Sequence, residues 1–600
     1  MSKVAKIFNS DIHDSDYKKK YEEHFIEASS LIQLTASDYK NSLNGVWKFC
    51  EDAYQTSLRA NWFTTSSFTD IEKQNSVIPQ DWDYQYFDDI QVPSCWNFLN
   101  PKLFYYEGTG IYRRRFRYIR EMEGERLFLY FEAVAYEAIV LLNGHVIGYH
   151  IGASTPFSVE ITSFVQNDNE LVVLADASRS ASRIPGTNYD WFNYGGIYRD
   201  VLLVRRPQTF IKDWFISLVP DGSYSWISIK AVLDGTCEGM FFHFKIKELD
   251  IELSVPLTDS GISREIFAKP QLWNPADPKL YEVEIELLKE KKCFFAVHDR
   301  IGFREIKVTR NQIKLNGRDI YLKGVCVHED CPEYGKAVPN DKICGMMSDI
   351  KALNGNFLRL SHYPHSRRAA LAADEAGILL WEEIPVYWDI DFKNQETYAD
   401  AENQLRELIL RDRNRASVII WSLGNENPDT DERYSFMERL IATARSLDST
   451  RLVSAACLID PVKLVMADRL AELLDIIGIN EYYGWYDPDI SKIKKLLDNS
   501  APQKPVIISE FGASATAGYH GTKDDLFSEE RQEWIYKEQI AVFKACQYIK
   551  GTVAWILYDF RSPRRMNHFQ KEFNRKGLIS ENRKDCKKAA QVLADYYKGR

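Results

Sequence analysis

Between residues 321 and 557, eight short apolar runs alternate with stretches of helical periodicity, and very few folds satisfy that pattern. The runs are YLKGVCV (321–327), NFLRLS (356–361), GILLWEE (377–383), VIIWSL (418–423), RLVSAA (451–456), IIGIN (476–480), PVIISE (505–510) and TVAWIL (552–557). Ile343, Met346, Met347, Ile350 and Leu353 fall on one helical face between the first two runs. Ala401, Leu405, Leu408 and Ile409 do the same between the third and fourth, and a long helical pattern from Ser528 to Tyr548 joins the last two. Parallel strands covered on both faces read as near-continuous apolar runs, and each needs a crossover element to reach the next. Eight strand–helix units therefore predict a (β/α)8 barrel over residues 308–600.

The rest of this 600-residue chain has a different texture. Up to Pro207 it shows short alternating runs broken by turn residues, such as RLFLYFEAV (126–134), AIVLLNGHVIGYH (138–150) and DVLLVRR (200–206). Asn143-Gly144 between two apolar runs is a hairpin signal. Residues 1–207 are thus predicted to form a jelly-roll-like β-sandwich. Residues 208–307 are strand-rich over roughly the length of an immunoglobulin-like sandwich.

Composition removes several function classes. A net charge of −10 is the wrong sign for a nucleic-acid binder, which needs a basic face to displace phosphate counterions. No window approaches the ~18 continuous apolar residues of a transmembrane helix, and the amino terminus lacks a signal-peptide core. A membrane partner is not expected, and a cytoplasmic address follows by default. The ten cysteines form no CxxC pair and no zinc-ligand spacing, so free thiols in a reducing compartment are expected. Aromatic residues at 13%, with 14 Trp and 33 Tyr, suit a protein that stacks rings on sugars.

Catalytic groups of such barrels sit where strands end and βα-loops begin. Those ends supply His328, Glu329 and Asp330; Arg359 and His362; Glu382 and Glu383; Asn425 and Glu426; Asn480, Tyr482 and Tyr483; Glu510; and Trp555, Tyr558 and Asp559. Any single carboxylate of this set can be no more than the cap of the next helix. Several converging at one rim point to acid/base work on a neutral, hydroxyl-rich substrate, because two carboxyls in different environments divide the tasks of proton donor and nucleophile. Glycoside hydrolysis is built that way. His328 reads as a hydrogen-bonding wall residue, since no second His lies at helical spacing from it.

WSLGNEN (421–427) and VIISEFG (506–512) resemble the acid/base and nucleophile segments of glycoside hydrolase family 2. VPSCWN (92–97), GIYRRRF (110–116), LLNGHVIGYHIGASTPFSVEIT (141–162) and NYGGIYRDVLL (193–203) are similar to its amino-terminal sugar-binding domain. GFREI (302–306), LNGRDIYLKGVCVHED (315–330), LRLSHYPH (358–365) and NEYYGWY (480–486) resemble its barrel landmarks. The resemblance implies a retaining β-glycosidase with Glu510 as nucleophile and Glu426 as acid/base. It further implies that Asn425 bonds the sugar 2-hydroxyl, that Tyr482 holds the nucleophile, and that no cofactor or metal is used.

Within that family the chain most resembles the members that cleave glucuronides. FNRKGLI (573–579) is similar to an Asn-x-Lys motif that holds the C6 carboxylate, here Asn574 and Lys576: an ammonium neutralises the uronate and an amide donates to it. Tyr486 matches a tyrosine near that carboxylate, and Asp190 an acidic residue that reaches the sugar hydroxyls. With His328, Arg359, His362 and Trp555 from the strand ends, these complete the expected substrate-binding set. Gln570 stands where an arginine is common, which leaves galacturonide open beside glucuronide. The short stretch from Tyr387 to Glu402 implies a more open mouth admitting oligosaccharides or bulky conjugates, and the expected partner is a small-molecule or oligosaccharide glucuronide substrate. A neutral-sugar enzyme such as a β-galactosidase, and a non-catalytic carbohydrate-binding protein, are the competing readings. A homo-oligomer is expected.

Overall fold

The computed structural model describes residues 19–59, 87–500 and 502–600, so the amino-terminal segment read for a leader lies largely outside them. The chain divides into two compact units. One comprises residues up to Ser178 together with Asn193–Phe210; the other comprises Arg179–Phe192 and Ile211–Arg600.

The first unit is a sandwich of antiparallel sheets. Six strands run in the spatial order Asp88–Val92, Gly45–Asp52, Thr109–Arg117, Asp168–Asp176, Glu137–Leu142 and His145–Ile151. A second sheet holds Phe157–Glu160, Arg126–Phe131 and Val201–Arg206. Asn143 and Gly144 form the predicted hairpin turn, both at positive φ (51° and 81°), as a two-residue primed turn requires. Trp47, Phe49, Trp96, Tyr112, Leu129 and Phe131 fill the core between the sheets. Gly195 has no room for a side chain: a Cβ there would lie 2.0 Å from the buried Trp96 ring.

The second unit begins with two sheets in the immunoglobulin-like manner: Phe210–Leu218, Trp226–Asp234 and Gly261–Phe267 in one, and Ile251–Pro256, Met240–Ile246, Tyr281–Lys289 and Lys292–Ile301 in the other. Tyr281, Val283, Ile285 and Leu287 alternate inward toward Trp214, the period-2 pattern of a half-buried strand. Asn414 of the barrel ties this sandwich down, donating to the Trp214 carbonyl (2.8 Å) and accepting from the Ile216 amide (3.0 Å). Arg415 pairs with Asp299 at 2.6 Å.

The barrel closes as predicted, with eight parallel strands: β1 (Leu322–Val327), β2 (Phe357–Leu360), β3 (Leu379–Glu383), β4 (Val418–Asn425), β5 (Leu452–Cys457), β6 (Ile476–Asn480), β7 (Val506–Glu510) and β8 (Ile549–Ala554). Ser366, Asn394, Thr430 and Ser528 cap the helices that follow β2, β3, β4 and β7, each side chain accepting from a first-turn amide. Two expectations need correction. The fifth crossover holds only a four-residue 3-10 turn, Arg469–Glu472, because residues 458–475 lack an apolar stripe long enough for an α-helix. The eighth strand starts earlier than its most apolar run and ends before Trp555, which leaves that indole on the rim.

Candidate active site

Strand β7 is buried at every position and ends on Glu510, so its apolar residues deliver a carboxylate to the carboxyl-terminal face of the barrel. Glu510 Oε1 accepts from Arg359 Nη1 at 2.9 Å, and Oε2 from the Tyr482 hydroxyl at 2.6 Å. Arg359, on β2, is fully buried and all five of its N–H groups find acceptors: both oxygens of Glu383 (3.0 and 3.1 Å), the Ser509 carbonyl (3.2 Å), Glu510, and Asn425 Oδ1 (2.8 Å). One guanidinium thus stands between two carboxylates. Burial alone would raise the Glu383 carboxyl, but Arg359 and His362 outweigh it and hold it at about 2. Glu510 is pushed up to about 8, by burial first and by the Glu426 charge, with Arg359 and Tyr482 pulling the other way.

His362 Nδ1 lies 2.8 Å from Glu383 Oε1 and only 3.3 Å from an Arg359 donor, so the network assigns its proton to Nδ1 and leaves Nε2, 3.8 Å from Glu510, unprotonated. Burial favours that neutral ring by lowering its pKa.

Glu426 follows the last residue of β4 at a positive φ of 52°. Its donors are neutral: Asn480 Nδ2 reaches Oε1 at 2.9 Å and Trp388 Nε1 reaches Oε2 at 2.8 Å. Asn480 also donates to Asn425 Oδ1 (3.1 Å), which leaves the Asn425 amide group without a hydrogen bond among the described residues. Glu510 thus has a cationic donor and Glu426 only neutral ones, so the two carboxyls sit in different electrostatic environments.

A second cluster lies on the loops after β6 and β8. A short hairpin, Phe560–Arg561 with Phe573–Asn574, sets the chain that carries Asn574 and Lys576. Lys576 is 1% exposed. Its ammonium donates to the Tyr486 hydroxyl at 2.6 Å and sits 4.5 and 5.1 Å from the ring centres of Tyr486 and Tyr482. No carboxylate among the described residues pairs with it. Burial would raise the Tyr486 phenol, yet Lys576 and Arg565 outweigh it and lower its pKa. Asn574 Nδ2 is 3.5 Å from Asp190 Oδ2. Asp190 accepts from Ser562 Oγ (2.6 Å) and forms an ion pair with Arg565, whose Nη1 also reaches Tyr486 at 3.4 Å.

Every residue of the predicted set therefore reaches one of two adjoining clusters, with one qualification. His328 hydrogen-bonds the Tyr363 hydroxyl (3.2 Å) and packs against Phe560, Trp555 and Trp191, while its Nε2 is sealed from solvent. It builds the wall behind Trp555, which stacks on His362 at 4.9 Å. Four strand-end carboxylates are structural. Glu329 accepts from the Ser366 amide, Asp330 from the Arg561 amide, and Asp559 from the Gly577 amide and Lys587. Burial and the Asp412 charge raise the Glu382 carboxyl away from the site. Among the described residues no group of His, Cys, Asp and Glu is arranged to hold a metal ion, all ten cysteines are free, and no helix is long and apolar enough to cross a membrane.

Sequence reading passed over four residues of the site. Asn480 ends β6 and stood among the strand-end candidates without a role. Trp388 lies five residues beyond the end of β3, and Arg565 sits in the long excursion after β8. Trp191 packs on Tyr387, Tyr363, His328 and His362 from a segment outside the barrel sequence, where no periodicity marks it.

A barrel rim that presents two carboxyls, one on a guanidinium and a phenol and the other on an amide and an indole, has the parts of a glycoside hydrolase of the two-carboxylate kind. Family models match nearly the whole chain: the glycosyl hydrolases family 2 sugar binding domain over residues 40–207, a further glycosyl hydrolases family 2 domain over 245–304, and the family 2 TIM barrel domain over 306–599. The chain belongs to glycosyl hydrolase family 2. A β-glucuronidase from Paenibacillus borealis is 27% identical over 597 residues, covering 92% of this chain and 95% of its own length. A β-D-glucuronidase from Dictyoglomus thermophilum superposes with a TM-score of 0.79 at 26% identity, over 93% of this chain and 97% of that one. A family 2 β-galacturonidase from Eisenbergiella tayi, bound to galacturonate, gives 0.78 at 26% identity over 95% and 98%.

Proposed function

We propose that the chain hydrolyses terminal β-D-glucuronides with retention of configuration, through Glu510 and Glu426. The observation that carries the substrate class is Lys576: an ammonium removed from water and given only a phenol and two ring faces as partners. Burying an unpaired cation is costly, and a uronate carboxylate at this point supplies the missing charge. Asn574 and Tyr486 add neutral contacts beside it.

With the sugar carboxylate on Lys576, the anomeric carbon lies between the two glutamates. Glu510 attacks it as the glycosidic bond breaks, and Glu426 gives its proton to the departing oxygen. The glycosyl ester on Glu510 is then opened by a water that surrenders its proton to Glu426, restoring both groups. Arg359 and Tyr482 fix the Glu510 carboxylate in line for attack. The Asn425 amide is free to donate to the 2-hydroxyl, a contact that strengthens as positive charge builds on the ring.

The test is a panel of 4-nitrophenyl glucuronide, galacturonide and galactoside with the wild type and Lys576→Met. Glucuronide turnover is expected to dominate in the wild type. Removing one partner of a buried charge pair costs about 2–5 kcal/mol, so Lys576→Met should lower kcat/KM on it roughly 30- to several-thousand-fold. Galactoside turnover dominating in the wild type, or a variant indifferent to the loss of Lys576, would overturn the reading.

A further inference from the structure

Arg564 and Arg565 are neighbours in the chain with different company. Arg565 turns to Asp190 and Tyr486. Arg564 lies over the Trp388 indole, its guanidinium carbon 4.9 Å from the ring centre, and Nη1 donates to Asn188 Oδ1 at 2.9 Å. The indole beneath it is held on several sides. Its Nε1 donates to Glu426 Oε2 (2.8 Å), its backbone amide to the Asn425 carbonyl (2.8 Å), and its carbonyl accepts from Asn427 (2.7 Å). Trp388 itself sits at a φ of 54°, a conformation that only such fixing sustains.

The cation on this platform is exposed and has no carboxylate partner among the described residues; Asp389, next to Trp388, forms no ion pair with it. A guanidinium carries five N–H donors, and Asn188 takes one. The others have no hydrogen-bond partner among the described residues, and the indole on which they are stacked donates to Glu426. The side of Glu426 has a definite meaning: the group that receives the Glu426 proton is the leaving oxygen, so whatever is attached to that oxygen lies there.

We propose that Arg564, stacked on Trp388, forms a subsite for the leaving group and selects glucuronides whose aglycone carries its own anionic group, a carboxylate or a sulfate, near the scissile bond. The proposal rests on the reading of Glu426 as the proton donor. A planar guanidinium matches either oxyanion through two parallel N–H bonds, and stacking on the indole pre-orders it at little entropic cost. Its position at the solvent edge limits the gain and makes it sensitive to salt.

The experiment compares three aryl glucuronides, one with a neutral aglycone and two bearing a carboxylate or a sulfate at the same ring position, on the wild type, Arg564→Gln and Arg564→Lys. Taking each variant against the wild type cancels the intrinsic reactivity of the leaving groups. Arg564→Gln is expected to lose roughly 2- to 5-fold more kcat/KM on an anionic substrate than on the neutral one. Arg564→Lys should recover part of that difference, and 0.5 M salt should shrink it in the wild type. Whichever anion shows the loss identifies the group that is read. Equal losses on all three substrates would reduce Arg564 to a support for Trp388 and overturn the subsite. A wild type inactive on all three glucuronides would instead overturn the glucuronide reading, and the subsite with it.

Discussion

Tyr482 tests what opposes protonation of the nucleophile. Glu510 is buried beside a second carboxyl and pushed up to about 8, and two donors oppose that rise, Arg359 at 2.9 Å and Tyr482 at 2.6 Å. Tyr482→Phe removes one of them while keeping the ring and its packing. A hydrogen bond to a charged group contributes about 1.5–3 kcal/mol, and 1.36 kcal/mol corresponds to one pKa unit. Losing the phenol hydroxyl should therefore raise the Glu510 pKa by about 1–2 units. Since only the carboxylate attacks, the acid limb of the rate profile should move to higher pH by that amount.

Ordinary turnover reports the two glutamates as a coupled pair, so the cleaner assay is trapping by a 2-fluoro glycosyl fluoride of glucuronic acid. Fluoride leaves without a proton from Glu426, and the trapping rate against pH then follows Glu510 alone. An acid limb that stays in place while the whole curve drops would show that Tyr482 positions the carboxylate without stabilising its charge. That result would refute the electrostatic reasoning. Arg359 is the wrong residue for this test, because removing it strands two buried carboxylates at once.

Two further outcomes follow from other carboxyls. Glu426→Gln should cost about 10²–10⁴-fold on glucuronides with poor leaving groups and far less on a dinitrophenyl glucuronide, with azide restoring turnover of the latter; equal losses on both would remove Glu426 from the role of acid. Glu481 is buried with only the Tyr483 amide on one oxygen and nothing on the other, and burial holds its carboxyl at about 8 against an ordinary 4.5. Below pH 4.5 folded and unfolded chains both hold that proton. Between 4.5 and 8 only the folded chain does, so stability falls as pH rises, by about 5 kcal/mol at most. Glu481→Gln keeps one donor and one acceptor, and its Tm should gain on the wild type from pH 5 to pH 8; parallel pH profiles would contradict this.

Much of the barrel was legible because strands covered on both faces have no choice but continuous apolar runs, and catalytic groups have no choice but their ends. Arg359, His362, Asn425, Glu426, Tyr482 and Glu510 all come from that rule, and the resemblance gave them roles. The rule overreached where burial and partners decide. Glu329, Asp330 and Asp559 occupy the same kind of position, yet each is turned to a backbone amide, and Glu382 is buried with one oxygen that has no hydrogen-bond partner among the described residues. No spacing in the chain separates Glu383, shared by Arg359 and His362, from Glu382 one residue before it; strand alternation points them in opposite directions, and only the closed barrel says which direction is inward.

The loops were less legible for a different reason. Asn-x-Lys occurs at Asn100/Lys102, Asn340/Lys342 and Asn582/Lys584 as well as at Asn574/Lys576. Only the last pair has its ammonium buried without a carboxylate. The arginine missing at position 570 illustrates the same limit. Gln570 spends its side chain on Asn567, while a cation reaches Asp190 and Tyr486 from Arg565, five residues earlier in the same excursion. A charge needed at a point in space can be supplied from any loop position whose side chain reaches that point. A position-by-position reading therefore registers a loss where the site has kept its charge. Substitutions at Gln570 should accordingly matter less to the sugar pocket than the same changes at Arg565, whose guanidinium is the one joining the Asp190 carboxylate to the Tyr486–Lys576 pair.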